Sequence, residues 1–159
     1  MGGVAWAKRN QPVRMRATYR RPHGIEHFLA FYDVHADYLN GMFQPRRGLA
    51  EVMDAFRRLR ACYPRRPLFV VLDNLHQVHD QPKFLALLKK LHIHPAWTPT
   101  EASWLNLIEA QFGVLKKFTV DNTDDTDHEQ RQQRVRNYLK YRHRRLGNSD
   151  HPLRHLTSL

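Results

Sequence analysis

The 159-residue sequence has little cysteine and no long hydrophobic run. Its one cysteine, Cys62, excludes an internal disulfide and is typical of a protein kept in a reducing compartment. No apolar stretch approaches the roughly 20 residues that cross a bilayer, and residues 1–21 lack the apolar centre of a signal peptide. These absences predict a cytoplasmic protein with no membrane partner.

Acidic residues are also scarce. The chain has 15 Asp and Glu against 26 Lys and Arg, which gives a net charge of +11. Such an excess favours a polyanionic partner, most often nucleic acid, although a basic protein with a merely solvated surface is the alternative. A hydrophobic content of 42% excludes a wholly disordered chain, and the length is that of one domain.

The first half of the chain predicts a basic arm, a hairpin, a helix and a strand. Residues 1–23 are basic with few periodic apolar positions, as in an arm or irregular loop. Residues 25–35 and 38–44 predict an antiparallel hairpin, and residues 48–63 predict a helix that ends before Pro64. The unbroken apolar run 68–72 is typical of a strand covered on both faces.

The second half predicts three helices and one short strand. A helix starts at Pro82, and residues 92–97 form a strand that Pro95 confines to an edge. Ser103 is the predicted N-cap of the next helix, through residue 118, and Thr126 with Glu129 has the spacing of a capping box for a basic helix over 127–145. This alternation predicts one α/β domain with a mixed sheet flanked by helices.

Polar side chains follow the predicted strand 68–72, and others lie on the predicted helix that comes after residues 92–97. "VVLDNLHQVH" places Asp73 where a buried strand ends, and "TPTEASWLNLIEAQFGVLKKF" places Asn106 and Glu109 three residues apart, on one face of a helix. Alone, Glu109 is typical of a solvated helix glutamate, and Asn74 of an Asx turn. A carboxylate pair held on rigid elements is the more specific alternative.

These two motifs resemble the bacterial insertion-sequence transposases of the mariner superfamily, with their DDE catalytic domain of ribonuclease H-like fold. In that family a hydrophobic strand ends in Asp-Asn with a His nearby, and a later helix opens with Ser-x-x-Leu-Asn-x-Ile-Glu. The present sequence has Leu-Asn-x-Ile-Glu but only one residue, Trp104, between Ser103 and Leu105. Here 35 residues lie between Asp73 and Glu109, close to the family's interval. The upstream stretch "ATYRRPHGIEHFLAFYDVHADYLNG" is also similar, so the resemblance covers nearly the whole chain.

The resemblance implies phosphoryl transfer on double-stranded DNA, at transposon ends and target, with Mg²⁺ as cofactor and Mn²⁺ as substitute. Asp73 and Glu109 are then the catalytic metal ligands, and Asn74, His79 and Asn106 position ligands or substrate. A homodimer is the implied assembly. The basic charges predicted to bind DNA are Lys116, Lys117, Arg131, Arg134, Lys140, Arg142, Arg144 and Arg145.

The family has three carboxylates, and its first one lies on a central strand upstream of a stretch that here begins the chain. No Asp or Glu precedes Glu26. The expectation is a single catalytic-domain fragment over 1–159, with arm 1–23, core 25–118 and basic C-terminal part 127–159. It lacks the first strand and the helix-turn-helix region and has little strand-transfer activity.

Three other interpretations remain open: a related ribonuclease H-like nuclease or integrase, a DNA-binding remnant or regulator without catalysis, and a basic structural domain. Two further features are interpreted without an additional zinc or base-stacking site. His92 and His94 would share a face of their strand but have no acidic or Cys neighbour for zinc. Trp97 and Trp104 flank the loop before Glu109 and are interpreted as packing residues rather than base-stacking platforms.

Overall fold

The computed structural model describes residues 25–73, 80–99, 105–121, 127–148 and 150–157. The strands in these ranges are β1 (His27–Asp33), β2 (Tyr38–Gln44), β3 (Leu68–Leu72) and β4 (Ile93–Trp97). The helices are α1 (Leu49–Cys62), α2 (Pro82–Lys90), α3 (Ile108–Thr119), α4 (His128–Arg145) and a C-terminal 3₁₀ helix (Pro152–Thr157). The predicted arm 1–23 lies outside the described residues.

Strands β1 and β2 form the antiparallel hairpin that the sequence predicts. The carboxylate of Asp33 closes its turn by accepting the backbone N–H groups of His35 and Ala36, at 3.0 and 3.2 Å. Successive side chains of β1 enter two different cores because a strand alternates its faces. Leu29 and Phe31 pack on the α1 side, and Phe28, Ala30 and Tyr32 pack on the side of α3 and α4.

Strands β3 and β4 are parallel, and Pro95 lies in the edge strand β4, as predicted. The expectation that β3 is covered on both faces is wrong. Leu68, Val70 and Leu72 pack against the main core, whereas Phe69 and Val71 are 76% and 48% exposed. An apolar run shows how hydrophobic a strand is, but it does not show how many layers cover it.

The mixed sheet predicted from the alternation of elements is, in the described residues, two separate two-stranded sheets. Both contribute to one main core. Phe56 of α1 makes edge-to-face contacts with Phe31 of β1 and Phe84 of α2, at 5.4 and 5.1 Å between ring centroids. Strands β1 and β3 therefore lie against the same core. Within the described ranges, β1 pairs only with β2 and β3 only with β4, so each has one edge without a neighbouring strand.

Two predicted helix starts differ from the observed ones. Helix α3 begins at Ile108 rather than after Ser103, and residues 101–104 are outside the described part. The cap of α4 is Asp127, whose carboxylate accepts the Gln130 N–H at 2.8 Å, in place of the predicted Thr126, itself not described. An Asp at the N-cap satisfies the same exposed amides that a Thr would.

The C-terminal elements complete the cores. Val135 and Leu139 of α4 pack with Leu39 of β2 and Leu115 of α3 in a second core. The 3₁₀ helix lies against α1 and β2, and the Asn40 amide donates to the Leu153 carbonyl at 2.8 Å. None of the helices in the described ranges has the length and hydrophobicity needed to cross a membrane.

Candidate active site

Asp73 follows β3 directly and is exposed. Because β3 and β4 are parallel, their carboxyl ends lie at the same edge of the sheet. The ladder continues to that edge, where the N–H of the buried Thr98 donates to the Leu72 carbonyl at 2.9 Å. The Asp73 backbone therefore leaves a fixed strand end. The predicted positioning residues Asn74 and His79 lie outside the described residues.

Glu109 is the second residue of α3 and is exposed in its first turn. A carboxylate in this turn is stabilised by the positive end of the helix dipole. The adjacent Ile108 packs against the second core, and that contact holds the start of the helix in place. Glu109 thus projects from an anchored helix that follows β4 in the chain.

Asn106 precedes α3 rather than lying on it, so the prediction that Asn106 and Glu109 share a helical face is wrong. The helix starts two residues later than that prediction required. Asn106 still contacts Glu109 through the backbone, because its carbonyl accepts the Glu109 N–H at 3.0 Å. The side chain of Asn106 is half-buried.

The donor chemistry of Asp73 and Glu109 fits Mg²⁺, which prefers oxygen ligands, keeps several waters and is often held by one or two carboxylates. No cluster of three or more His, Cys, Asp or Glu residues able to hold a metal ion occurs in the part of the chain that the structure describes. His92 and His94 belong to no such cluster. His92 is a turn residue with a φ of 50°, and the His94 ring stacks on Phe69.

Most of the predicted DNA-binding cations are exposed. Lys116 and Lys117 lie in the last turn of α3, and Arg131 of α4 is half-buried. The exposed members on α4 are Arg134, Lys140, Arg144 and Arg145. The exposed members lie at the surface that an anionic partner would meet.

Arg142 is the exception, because only 13% of its side chain is exposed. Its guanidinium forms an ion pair with Asp37 in the hairpin turn, donates to the Gln111 side chain at 2.6 Å, and lies over the Tyr32 ring. This cation joins the hairpin to α3 and α4. It is therefore committed to the fold, and we leave it out of the DNA-binding set proposed below.

A buried polar network near the hairpin turn was not foreseen from the sequence. The Asp33 carboxylate accepts the Tyr63 hydroxyl and contacts the His151 ring nitrogen, each at 3.2 Å. The Tyr38 ring is stacked between His143 and His151, with centroids 3.8 and 4.1 Å away. No spacing signals such a network, since His151 is 118 positions from Asp33.

The surroundings of Asp33 and Tyr63 shift their ionisation. Burial opposes the charge on Asp33, but hydrogen bonds from Ala36, Tyr63 and His35, with the charge of His151, lower its pKa. Burial and the neighbouring Asp33 raise the pKa of Tyr63, so this hydroxyl stays protonated as a donor. Burial also raises the pKa of Cys62, which agrees with a packed thiol rather than a nucleophile.

Comparisons with known proteins give a family and a fold. The model of the family described as DDE superfamily endonuclease matches residues 3–130. A search of curated proteins gives no significant match. Among solved structures, the chain is similar to one chain of the cryo-EM structure of the simian T-cell lymphotropic virus intasome in complex with PP2A regulatory subunit B56 gamma. Identity is 17% and the TM-score is 0.52, over 72% of this chain and 47% of that one, so the present chain spans about half of that chain's length.

Proposed function

Since the chain belongs to the DDE superfamily of endonucleases and has an α/β fold of the ribonuclease H-like kind, we propose that it acts in metal-dependent phosphoryl transfer on DNA. The reaction is strand cleavage and strand transfer, as in a mariner-like transposase of a bacterial insertion sequence. A single observation carries the proposal. Asp73 and Glu109 are both exposed and follow, in chain order, the two adjacent parallel strands β3 and β4.

In this proposal Asp73 and Glu109 hold Mg²⁺, with Mn²⁺ as substitute. Bound metal ions supply a polarised nucleophile and stabilise the leaving oxygen. The protein's contribution is position, because a displacement of about 1 Å can cost ~100-fold in rate. The strand end before Asp73 and the anchored turn around Glu109 provide that rigidity. Asn74, His79 and Asn106 are assigned to orienting ligands or substrate.

A third carboxylate completes the site in this proposal, on a strand seated between β1 and β3. The support is the division into two sheets: β1 and β3 pack on one core, and each has a second edge that is unpaired in the described residues. A strand placed there would pair with both, since unpaired edges are templates for strand addition. Because no Asp or Glu precedes Glu26 in the sequence, we expect these 159 residues by themselves to bind metal weakly and to cleave DNA poorly.

The proposed partners are double-stranded DNA, contacted by basic side chains of α3 and α4, and a second copy of the chain, which forms a homodimer. The proposed location is the bacterial cytoplasm, with the chain associated with the nucleoid. The phosphate-binding residues in this proposal are Lys116, Lys117, Arg131, Arg134, Lys140, Arg144 and Arg145. Binding of this kind weakens steeply with salt, because each neutralised phosphate releases counterions.

Metal binding tests the carboxylate pair directly. Titration with Mn²⁺, followed by electron paramagnetic resonance, should show weak binding that is lost in the double variant Asp73→Asn, Glu109→Gln. The matched control is Asp121→Asn, Glu129→Gln, which removes the same charge at exposed positions on other parts of the chain. Equal Mn²⁺ binding by the pair variant and the control would contradict the assignment.

Cleavage of supercoiled plasmid in Mg²⁺ or Mn²⁺ tests the third carboxylate. We expect little nicking by the 159-residue chain. Strong nicking that disappears in Asp73→Ala would show that residues of this chain already complete the site, and the strand proposal would fail. Strong nicking that survives Asp73→Ala would remove Asp73 from the mechanism. Joining of a 3′-hydroxyl end to a second DNA molecule separates a transposase or integrase from a simple nuclease, because hydrolysis by either leaves the same ends.

A DNA-binding remnant or regulator without catalysis is the second candidate, and the exposed cations of α3 and α4 favour it. In that case neither carboxylate variant changes DNA affinity, and no metal-dependent product appears under any condition. Charge reversal at Arg134 and Arg145 would still abolish binding. A domain with no nucleic-acid role would retard no duplex at any salt concentration.

A further inference from the structure

A groove lies on the side of the hairpin where β2 has no neighbouring strand among the described residues. Its cavity is about 730 Å³. Side chains of β2 form its floor, α4 forms one wall, and Arg58 of α1 with Arg154 of the 3₁₀ helix line the rest. None of these elements carries Asp73 or Glu109, so the groove is built from residues other than those of the proposed active site.

The Lys, Arg, Asp and Glu residues that line the groove are all basic. Five of its lining residues are Arg or Lys, and none is Asp or Glu: Arg58, Arg136, Lys140, Arg144 and Arg154. Arg58 and Arg154 each have an acidic partner four residues earlier, Asp54 and Asp150, outside the lining. Lys140 and Arg144 are exposed and have no ion-pair partner within the described residues. An anionic ligand would meet uncompensated charge there.

The three cations of α4 form a row. Arg136, Lys140 and Arg144 are spaced by four residues, which places them on one helical stripe at steps of roughly 6 Å. Lys140 and Arg144 face water along this stripe, while the neighbouring Val135 and Leu139 point into the second core. A ligand with regularly repeated negative charges can contact several members of such a row at once.

The floor adds aromatic rings. Phe28 and Phe43 are half-buried, line the cavity and contact each other with ring centroids 4.9 Å apart. Gly41 is the reason that Phe28 lies across the strand here, because a Cβ at position 41 would come within 2.6 Å of the Phe28 ring. Aromatic rings beside a row of cations are the features that bind single-stranded nucleic acid, with bases on the rings and phosphates on the cations.

We propose that this groove binds a single strand of nucleic acid, through phosphate contacts with Lys140 and Arg144 and base contacts with Phe28 and Phe43. The proposal rests on the proposed function only in taking DNA as the polymer. A single strand can turn its bases toward Phe28 and Phe43 while its phosphates contact the row of cations, whereas the bases of a duplex are paired and stacked on each other. A displaced strand at a cut end has the size and charge that the groove accepts.

Fluorescence anisotropy with labelled oligothymidine of about 12 nucleotides, within the usual range for such sites, tests the proposal. The measurement uses the full chain in EDTA, so that metal chemistry does not contribute. The variant Lys140→Glu, Arg144→Glu should bind roughly tenfold or more weakly. Its slope of log K against log salt should fall by about 0.7 for each lost phosphate contact, close to 1.4 for both.

The matched control is Lys89→Glu, Lys90→Glu, which makes the same charge change on exposed residues of α2, away from the groove. We expect its affinity to fall by no more than about threefold, from the altered net charge alone. The variant Phe43→Leu should weaken binding about tenfold and leave the salt slope unchanged, because it removes stacking and no charge.

Three results would overturn the proposal: equal losses in the groove variant and the control, an unchanged affinity of Phe43→Leu for the oligonucleotide, or equal displacement of the oligonucleotide by polyglutamate of matched charge. The last result would identify a general polyanion site. Failure of the carboxylate proposal is a separate result. It would be seen as Mn²⁺ binding that survives in Asp73→Asn, Glu109→Gln, whereas the anisotropy assay contains EDTA and does not depend on metal.

Discussion

At the scale of single residues, position in the fold decides which charged side chains are available to a ligand. Arg142 and Arg144 are two positions apart on α4. The first is held by Asp37 of the hairpin turn and Gln111 of α3, and the second is exposed at the groove. The difference arises because one face of α4 packs against the hairpin. A count of basic residues along a helix does not distinguish these two situations.

We expect His143 to make the fold less stable in acid. Its ring is stacked on Tyr38 and donates from Nε2 to the Leu39 carbonyl at 2.9 Å. Burial lowers the pKa of His143, and the charges of Arg142 and His151 lower it further, against the opposing effect of the Leu39 hydrogen bond. The unfolded chain, where this histidine titrates near 6.5, then binds the proton more readily, so the free energy of unfolding falls as the pH drops below that value.

We expect His143→Gln to reduce the loss of Tm between about pH 7.5 and 5.5. Thermal melts at several pH values measure this. The control is His155→Gln, which changes an exposed histidine and should leave the pH dependence as in the unmodified chain. An unchanged pH dependence in His143→Gln would show that burial of this ring is not linked to protonation.

At the scale of elements, the same alternation of side chains has different consequences in the two sheets. The hairpin β1–β2 has α1 on one face and α3 with α4 on the other, so both sets of side chains are covered. Strand β3 has the main core on one face, and its other face leaves Phe69 and Val71 exposed. Exposure of this kind marks a surface that another element can cover.

The hairpin also contains a glycine, Gly41, that has no room for a Cβ atom. A Cβ at Gly41 would lie 2.5 Å from the Leu29 carbonyl oxygen and 2.6 Å from the Phe28 ring. Gly113 in α3 has no atom within 4 Å of the same position. We expect Gly41→Ala to lower the free energy of unfolding by about 1–3 kcal/mol through overpacking.

Gly113→Ala should raise the free energy of unfolding by about 0.5–1 kcal/mol, since alanine favours a helix interior. Urea titrations of both variants measure the two effects. A Gly41→Ala chain as stable as the unmodified one would mean that the strands separate without cost at this position.

At the scale of the whole molecule, the C-terminal 3₁₀ helix closes the structure. Leu153 and Leu156 are 1% and 0% exposed, and they pack with residues of α1 and β2 that are more than 90 positions earlier in the chain. The Asn40 side chain fixes this helix by its bond to the Leu153 carbonyl. The described elements therefore share interior contacts from the hairpin to the C-terminus.

We expect Leu156→Ala to lower the free energy of unfolding by about 2–5 kcal/mol, as for a fully buried leucine. Leu146→Ala is the control: Leu146 is 44% exposed, and a change below about 0.5 kcal/mol is expected. Far-UV circular dichroism and tryptophan fluorescence should give coincident transitions in both variants. If Leu156→Ala separated the two transitions, unfolding would not be two-state and the described elements would not form one cooperative unit.

Local patterns predicted most of the elements. The hairpin, β3, the Pro82 start of α2 and the edge strand with Pro95 all occur as the sequence indicates. Each depends on neighbours within a few residues: alternation, turn residues, or a proline that restricts its own backbone. The wider DDE superfamily also followed from short motifs around Asp73 and Glu109, and residues 3–130 match the DDE superfamily endonuclease model, whereas the mariner-like assignment remains a proposal. The roles of those two residues remain predictions.

Only the tertiary structure decided how these elements are covered and which charges are free. In the described residues it places the predicted strands in two separate pairs, leaves one face of β3 exposed, pairs Arg142 with Asp37 and arranges Lys140 and Arg144 along a groove with Phe28 and Phe43. The physical reason is the separation along the chain over which each interaction acts. Propensity and capping act over a few residues, whereas burial and ion pairing depend on contacts between residues about 100 positions apart, such as Asp37 and Arg142.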